Sequence, residues 1–432
     1  MSESDFQQIP LVGFFPLFVN LAEAGRAVMI AKRYRELGGR IIFFSHGGKY
    51  EFLAKNQDFQ ITRVKPLITE EQMDEAWRMI ALDTFRSKVL IKEDWILENV
   101  EKEITAFKKT GIRLLVSTNN LTSAISARAA KIPYINILSA PGSFALKIPD
   151  SVENIFTHLI PQSCKVRFIN WFMPRTKMYL KPINNVAKKV GVSPFKNIAE
   201  IYLGDITFAT NYLEFVNIFP NQQAFPADDY IGIIPLDELF INKIPKEEAE
   251  KIESEIEAHL KRPGRSILVS LGSSGTKDLL INILRALNKT NYNIVAIYTS
   301  VLKEKDLPKL SDNILLKKFI PSIDKVNRMV DLAIIHGGQG TVFTAVYAKK
   351  PIIGFPMHIE QHINLEKIVG HGCGLMLSKK YFKERTLIDS INKIFSNYDY
   401  YLDNCKILAN KLPPPQGDKI AAEKILRFVT KM

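Results

Sequence analysis

The sequence has few cysteines and none of the spacings that usually bind metals. Its three cysteines, Cys164, Cys373 and Cys405, are odd in number, far apart and without a CxxC pair. This pattern argues against a disulfide framework and predicts a reducing, cytoplasmic environment with no zinc site.

Long apolar runs are also missing. No stretch reaches the length of uninterrupted apolar residues that a bilayer-spanning helix needs, and the first ten residues lack the basic start of a signal peptide. We interpret the apolar run 9–21 as a buried first strand. The sequence therefore predicts a cytoplasmic protein that is soluble or peripheral at the cytoplasmic membrane face.

Acidic residues are outnumbered, with 45 Asp and Glu against 58 Lys and Arg and a net charge of +13. Such a charge suits nucleic acid, an anionic membrane surface or a phosphorylated ligand. The basic residues are dispersed and no nucleic-acid-binding fingerprint accompanies them, so we expect no nucleic-acid partner.

The chain is long enough for two domains, because one hydrophobic core stops growing well below 432 residues. Apolar runs and helical periodicity alternate in both halves, which predicts α/β domains with parallel sheets. We expect a Rossmann-like domain over 1–233 with a helical insertion at about 151–203, a second over 234–415, and a tail helix over 416–432. The first domain is predicted to open with a strand over 9–18, a helix over 23–37 and a strand over 40–45.

Glycine-rich turns between strands and helices are the main functional signal. The apolar strand 331–335 is followed by His336-Gly337-Gly338-Gln339-Gly340-Thr341 and an apolar helix. Glycines at such a turn let backbone amides approach an anion. The polar turn with Ser273 and Ser274 predicts a second anion-accepting helix start. The polar cluster 356–364 lies after the next strand, where it can meet sugar hydroxyls.

The series HGGQGT, Pro356, Glu360-Gln361, Asn364, Gly372 and Gly374 resembles the donor-binding motif of nucleotide-sugar glycosyltransferases with the GT-B fold. The similarity is to the UDP-glycosyltransferase and macrolide-glycosyltransferase-like group, and also to the MurG type. It implies two doubly wound Rossmann-like domains facing across a cleft, with a tail helix that crosses back to the first. It also implies inverting, metal-independent hexosyl transfer with no cofactor, the co-substrate being a nucleotide sugar, first of all a UDP-sugar.

The resemblance assigns roles to individual residues. Glu360 and Gln361 would bind the donor sugar, unless they only begin a helix with a solvated face. The chain departs from the family pattern at two nucleoside-binding positions. Ser322 stands where the family commonly has a glutamine, and Thr344 stands where it commonly has a ribose-binding glutamate, which weakens the expected contacts to the nucleoside. The resemblance assigns phosphate binding to His336, Gly337, Gly338, Gln339, Gly340, Thr341, Ser273 and Ser274. It assigns nucleoside binding to Phe319, Ile320, Ser322 and Thr344.

The catalytic base also departs from the pattern. Related enzymes carry a histidine near the start of the first helix and an aspartate partner, and here Glu23 and Thr118 stand at those positions. A carboxylate whose pKa is raised by partial burial can act alone as a base. The alternative makes Glu23 a first-turn residue that the helix dipole keeps acidic.

The acceptor is the least constrained part. The segment 164–181 interleaves basic and aromatic residues, which suits a lipid or lipid-linked acceptor at an anionic membrane surface, or a helix pair with its aromatic rings packed inside. The turn 46–49 contacts an acceptor phosphate or is a plain loop. Two other functions remain open, a nucleotide-sugar 2-epimerase of the same fold and a sugar-nucleotide-binding subunit without catalysis.

Overall fold

The computed structural model describes residues 9–80, 92–139, 161–172, 180–216, 226–240, 244–298 and 301–432. The first half contains β1 (Leu11–Pro16), α1 (Leu21–Glu36), β2 (Arg40–Ser45), α2 (Phe52–Lys55), β3 (Ile61–Arg63), α3 (Glu70–Ile80), α4 (Glu93–Thr110), β4 (Leu114–Thr118), α5 (Ser123–Ala130), β5 (Tyr134–Leu138), α6 (Gln162–Phe172), α7 (Leu180–Lys189), β6 (Ile206–Ala209) and α8 (Leu213–Val216).

The second half repeats the strand–helix alternation. It contains α9 (Lys246–Leu260), β7 (Ser266–Ser270), α10 (Lys277–Leu287), β8 (Asn293–Ile297), β9 (Ile314–Lys317), α11 (Ile323–Met329), β10 (Leu332–Ile335), α12 (Gln339–Tyr347), β11 (Ile352–Gly354), α13 (Ile359–Gly370), β12 (Gly374–Met376), α14 (Glu384–Ser396), α15 (Tyr398–Lys411) and α16 (Gly417–Val429).

Within the described residues the strands form two six-stranded parallel sheets. Their orders are β3-β2-β1-β4-β5-β6 and β12-β11-β10-β7-β8-β9. Numbered within each domain, both follow the doubly wound order 3-2-1-4-5-6 of dinucleotide-binding folds. The two Rossmann-like domains predicted from the sequence are confirmed.

The central strands are mostly apolar and almost wholly buried, because helices cover both faces of each sheet. In the first sheet, Phe14 and Phe43 pack on the face that α1 covers, while Phe15 and Phe44 pack on the opposite face against Phe107 of α4. Residues at alternate positions of one strand thus enter two different cores. Helix α4 also has one buried face.

The final helix α16 packs against α1 of the first domain. Ala421, Ala422 and Ile425 lie in the same core cluster as residues of α1. An ion pair reinforces the contact, since Arg33 Nε donates to Asp418 Oδ2 at 2.6 Å and Asp418 is buried.

The predicted insertion at about 151–203 lies partly outside the described residues. Its described parts are helical, comprising α6, α7 and a short 3-10 turn at Ile198–Tyr202. No helix in the described parts of the chain combines the length and apolar character needed to cross a membrane.

Candidate functional site

Each sheet reverses its strand order at one point, between β1 and β4 in the first domain and between β7 and β10 in the second. Ligands of doubly wound sheets bind outside the carboxyl ends of the strands at this switch point. The loops that leave these four strands begin at residues 17, 119, 271 and 336. They frame the candidate site.

The start of α12 offers backbone amides to a ligand. Its N-cap, Gly338, has no side chain, and Val342 N donates the first intrahelical bond, to Gly338 O at 3.0 Å. The N–H groups of Gln339, Gly340 and Thr341 precede that bond and have no acceptor within the helix. A Cβ at the exposed Gly340 would meet no atom within 4 Å, so this start is open. Amides and helix dipole together favour a phosphate group.

His336 explains two of the glycines. A Cβ at Gly272 would lie 2.4 Å from His336 Cε1, and a Cβ at Gly338 would lie 2.3 Å from His336 Nε2. The imidazole is therefore held between the two glycine turns, where only glycine fits. Burial, with a smaller contribution from His358, lowers the pKa of His336 to about 4. The ring is neutral at pH 7, and its buried Nδ1 has no protein partner.

Gln361 connects the predicted sugar-binding pair, Glu360 and Gln361, to the serine turn. Its Oε1 accepts from Met357 N at 2.7 Å, and its Nε2 donates to Ser274 Oγ at 2.8 Å. Asn364 Nδ2 donates to Gly337 O at 3.0 Å, which ties α13 to the glycine loop. Gln361 is 2% exposed, so the alternative of a solvated helix face does not hold for it.

Glu360 faces the first domain. Burial raises the pKa of its carboxyl group, while Arg26 and a hydrogen bond with the Ser139 side chain act in the opposite direction. Ser139 follows β5 of the first domain, so this carboxylate reaches across the cleft. Its partners were not predicted from the sequence.

The proposed nucleoside-binding residues have structural partners of their own. Ser322 caps α11 by accepting from Lys325 N at 3.3 Å, and Thr344 Oγ1 donates to Thr341 O at 3.1 Å. Ile320 is 5% exposed and packs in a core cluster with residues of α9. Phe319 precedes it in the loop after β9 and is partly exposed. Their role towards a base or ribose stays a prediction.

Glu23 lies in the first turn of α1, which Asn20 caps by accepting from Ala22 N at 2.8 Å. Its Oε1 accepts from Arg26 Nη1 at 3.0 Å and from Asn119 Nδ2 at 2.8 Å. Oε2 is buried without a protein partner. Burial raises the pKa of Glu23 and Glu360 adds to the rise, while Arg26 and Asn119 oppose it. Burial thus acts against the acidity that the helix dipole would favour.

Sequence reasoning did not identify Asn119 as a site residue. It follows β4 with φ of 50° and carries the amide that Glu23 accepts from. Thr118, at the position of the missing aspartate, donates its hydroxyl to the backbone carbonyl of Glu23 at 3.2 Å. A signal did exist, because Asn119 is the first polar residue beyond a switch-point strand and asparagine tolerates the left-handed conformation.

The turn 46–49 is held by the first domain itself. His46 Nε2 lies 2.7 Å from Glu103 Oε1, and its Nδ1 lies 2.9 Å from the carbonyl oxygen of Val64. Both ring nitrogens therefore face acceptors, and although burial opposes it, the hydrogen bond and charge of Glu103 raise the pKa of His46. Lys49 Nζ lies 5.0 Å from the Tyr50 ring centroid. These contacts favour the plain-loop interpretation.

Acid is expected to destabilise the second domain through its buried histidines. Burial lowers the pKa of His336, His358 and His362 to about 4, whereas the unfolded imidazole has a pKa of 6.5. Between these values the unfolded state binds more protons, so the free energy of unfolding falls as the pH falls through this range. Urea unfolding of the wild type and of His362→Gln at a series of pH values measures the difference, and the variant should show the shallower decline.

His46→Gln provides the control for this prediction. The pKa of His46 is raised above 6.5, so its contribution to stability is complete in acid and is lost only as the pH rises through the raised value. The variant should therefore be less stable than the wild type by a constant amount in acid, with a parallel pH dependence, and the difference should shrink at higher pH. Equal slopes for the wild type and His362→Gln between pH 4 and 6.5 would contradict the account.

The fold and the loops at the two switch points define a two-domain GT-B protein whose second domain carries a candidate anion site at the start of α12. Residues 266–411 match the family model described as the glycosyltransferase family 28 C-terminal domain. This match covers the candidate donor loops 271–276 and 336–341 and the residues of α13.

Relatives with curated names are glycosyltransferases. The chain is 24% identical over 294 residues to a PGL/p-HBAD biosynthesis glycosyltransferase of Mycobacterium tuberculosis, which covers 66% of this chain and 64% of that protein. It is 23% identical over 314 residues to a PGL/p-HBAD biosynthesis rhamnosyltransferase of Mycobacterium bovis, which covers 70% and 64%. The matched region thus spans 64% of the length of these relatives.

Solved structures with the same architecture include the spinosyn forosaminyltransferase SpnP, with a TM-score of 0.66 and 15% identity over 98% of this chain and 99% of that chain. The glycosyltransferase VinC, solved in complex with dTDP, has a TM-score of 0.60 and 14% identity over 97% and 99%. At these identities the likeness establishes the GT-B fold. The predicted resemblance to GT-B glycosyltransferases of the macrolide and UDP-glycosyltransferase type is confirmed.

Proposed function

We propose that this protein transfers a sugar from a pyrimidine nucleoside diphosphate sugar to a hydroxyl group of a lipid-linked or other apolar acceptor. One observation carries the proposal: a buried carboxylate of the first domain and the anion-binding loop of the second meet at the two switch points. Arg26 joins them, because its Nη1 donates to Glu23 and its Nη2 donates to Gln339 at 3.1 Å.

Each step of the transfer has a group in place. Glu23 Oε2 takes the proton of the acceptor hydroxyl, and the acceptor oxygen bonds to the anomeric carbon as the bond to the diphosphate oxygen breaks. The amides at the start of α12 and the His336 ring stabilise the charge that develops on the diphosphate. Attack from the side opposite the leaving group inverts the configuration at the anomeric carbon, and no metal ion is required in this scheme.

Glu360 and Gln361 bind the sugar hydroxyls in this proposal. The first supplies a carboxylate acceptor, and the second has an amide already oriented by Met357 and Ser274. Pyrimidine nucleotides are favoured because relatives include UDP-glucuronosyltransferases and the structural neighbours include complexes with thymidine diphosphate. Both UDP- and dTDP-sugars are therefore candidates, with UDP-sugars tested first and rhamnose among the sugars.

Calorimetric titration with UDP, dTDP, GDP and their sugar conjugates tests the donor site. Gln361→Ala is expected to weaken the binding of a nucleotide sugar by about tenfold or more, since removing one polar partner costs roughly 1–3 kcal/mol. It should weaken the binding of the free nucleotide less. The exposed Gln60→Ala serves as the matched control. If no nucleotide or nucleotide sugar binds, the donor assignment is wrong.

Product analysis separates transfer from the two alternatives. Conversion of the sugar nucleotide without an acceptor would indicate a 2-epimerase, and tight binding without turnover in the presence of acceptor would indicate a binding subunit. Transfer requires a new glycoside and release of the nucleoside diphosphate in equal amounts.

The exposed face of α6 supports the apolar acceptor. Phe168 and Trp171 are 54% and 56% exposed, with ring centroids 6.2 Å apart, and Arg167 beside them is also exposed. Apolar rings next to cations suit the interface of an anionic membrane, where a lipid-linked acceptor is presented. The alternative in which these aromatic rings pack inside a helix pair does not hold for Phe168 and Trp171.

The double variant Phe168→Ser/Trp171→Ser is expected to lose binding to anionic vesicles. Sedimentation with phosphatidylglycerol vesicles, compared with phosphatidylcholine vesicles, measures this loss. Tyr381→Ser is the control, because Tyr381 is 59% exposed and also has a lysine over its ring, but lies in the second domain. Equal vesicle binding by the double variant and the wild type would count against a membrane-facing acceptor.

A further inference from the structure

Gln339 is part of the candidate donor loop of the second domain, but its side chain makes hydrogen bonds to residues of the first domain. Its Nε2 donates to the carbonyl oxygens of Ser139 and Thr210, at 3.1 and 2.5 Å. Its Oε1 accepts from Arg26 Nη2 at 3.1 Å. Gln339 is 6% exposed. Both ends of its amide are thus satisfied across the cleft, and the side chain is not aimed at the space where a diphosphate would lie.

Arg26 is the partner that links this amide to Glu23. The guanidinium is 4% exposed, and its two terminal nitrogens donate to different domains, Nη1 to Glu23 and Nη2 to Gln339. A planar guanidinium with a partner on each terminal nitrogen has a fixed orientation. Arg26 also opposes the rise in the pKa of Glu360, so one cation serves a carboxylate from each domain.

We propose that Gln339 and Arg26 are positioning residues that couple the base to the donor loop. Gln339 orients Arg26, and Arg26 together with Asn119 holds Glu23 Oε1 so that Oε2 is the oxygen left for the acceptor hydroxyl. This inference rests on the proposed role of Glu23 as the base. In this arrangement Glu23 is held in its position only while the donor loop is docked against the first domain.

Charge and position have separate effects in this arrangement. The positive charge of Arg26 lowers the pKa of both carboxyl groups against burial, and its hydrogen bond to Glu23 adds a smaller lowering. The bond to Gln339 adds orientation without adding charge. Variants can therefore remove one contribution and keep the other.

Three variants make this separation. Arg26→Gln removes the charge, so the rising limb of the kcat–pH profile should move to higher pH by about one unit or more. Arg26→Lys keeps the charge but has no second terminal nitrogen to reach Gln339. The rising limb of the kcat–pH profile should therefore stay at the wild-type pH, while kcat falls. Gln339→Ala keeps Arg26 itself, and kcat should fall about tenfold or more with the donor KM within about twofold.

Two exposed positions supply matched controls. Arg385 has a side chain that is 93% exposed and an ion pair within its own helix, and Gln60 is exposed. Arg385→Gln and Gln60→Ala should behave as the wild type. Thermal unfolding of all variants identifies any that fail to fold, and Arg26→Lys, which preserves charge and most of the volume, tests the inference if Gln339→Ala does not fold.

The outcomes separate this inference from the proposed function. If Glu23→Gln transfers sugar normally, the proposed base is wrong. If Glu23→Gln is inactive but Gln339→Ala and Arg26→Lys keep the wild-type kcat, or raise the donor KM together with a lower kcat, the coupling is wrong. The inference is also overturned if Arg26→Gln leaves the pH profile unchanged.

A measurement without turnover completes the test. The carboxyl carbon of Glu23 can be followed by NMR in protein labelled at glutamate, with Glu23→Gln identifying its signal. Arg26→Gln should raise the pKa read from that signal, whereas Gln339→Ala should leave it near the wild-type value. No shift in Arg26→Gln would contradict the proposed contact even in a protein that catalyses no transfer.

Discussion

Glu23→Gln is expected to lower kcat by about 100- to 10,000-fold, the usual contribution of a general base, and to leave donor affinity nearly unchanged. The amide keeps an acceptor oxygen for Arg26 and Asn119 but cannot accept the proton of the acceptor hydroxyl. Burial raises the pKa of this carboxyl group, so the wild-type rate should rise with pH through the raised value. Steady-state kinetics with calorimetric donor titration measure both quantities.

Stability should not account for that loss of rate. Glu23 has a buried carboxylate oxygen without a protein partner, and such a group costs free energy in the folded state. The amide avoids that cost but removes the charge that faces the buried Arg26, so urea unfolding of Glu23→Gln is measured near pH 7, and a rate loss in the fully folded variant reports the missing base. Glu36→Gln, at a half-exposed position of the same helix, is the matched control and should keep full activity. Substantial transfer by Glu23→Gln would require another base.

Gly338→Ala is expected to lower the free energy of unfolding by roughly 1–3 kcal/mol, the usual cost of overpacking, and to weaken donor binding by about tenfold or more because the amides at the start of α12 are displaced. The backbone of Gly338 allows alanine, with φ of −61° and ψ of 145°. The obstacle is the Cβ, which would lie 2.3 Å from His336 Nε2. The ring must then leave its place between the two glycine turns, and the start of α12 moves with it. Donor titration and urea unfolding should both register the change.

Gly340→Ala separates the ligand contact from the packing defect. A Cβ at Gly340 meets no protein atom within 4 Å, and alanine in a helix is favoured over glycine by up to about 1 kcal/mol. This variant should fold as well as the wild type, so any loss of donor affinity reports crowding of the ligand alone. If Gly338→Ala keeps both the donor affinity and the free energy of unfolding of the wild type, His336 is not held in the way described.

Much of the fold was predictable from local patterns. The strand over 40–45 has the predicted bounds, and the strand predicted over 331–335 begins one residue later, at Leu332, because apolar runs and turn residues set such bounds locally. The outer strands β3 and β12 were not predicted. Each has three residues, too few for a periodic pattern, and forms because a neighbouring strand offers an edge.

The site was predictable only in part for a similar reason. The glycine turns and the Glu360-Gln361 pair are contiguous in sequence, so a motif identifies them. The bond between Arg26 and Gln339 joins residues 313 positions apart, and no local pattern encodes it. Nothing in the local sequence distinguishes Ser139 and Thr210 from other polar residues. They contact the donor loop because the strand order places the ends of β5 and β6 beside it. Sequence position after a strand was the one available signal.

A crystal structure with a bound pyrimidine nucleoside diphosphate would show whether the start of α12 binds the donor. Diphosphate oxygens are expected within hydrogen-bond distance of the Gly340 and Thr341 amides and beside His336, with Glu360 and Gln361 lining the space beyond the terminal phosphate. A nucleotide bound elsewhere, or a diphosphate held away from the start of α12, would contradict the donor assignment.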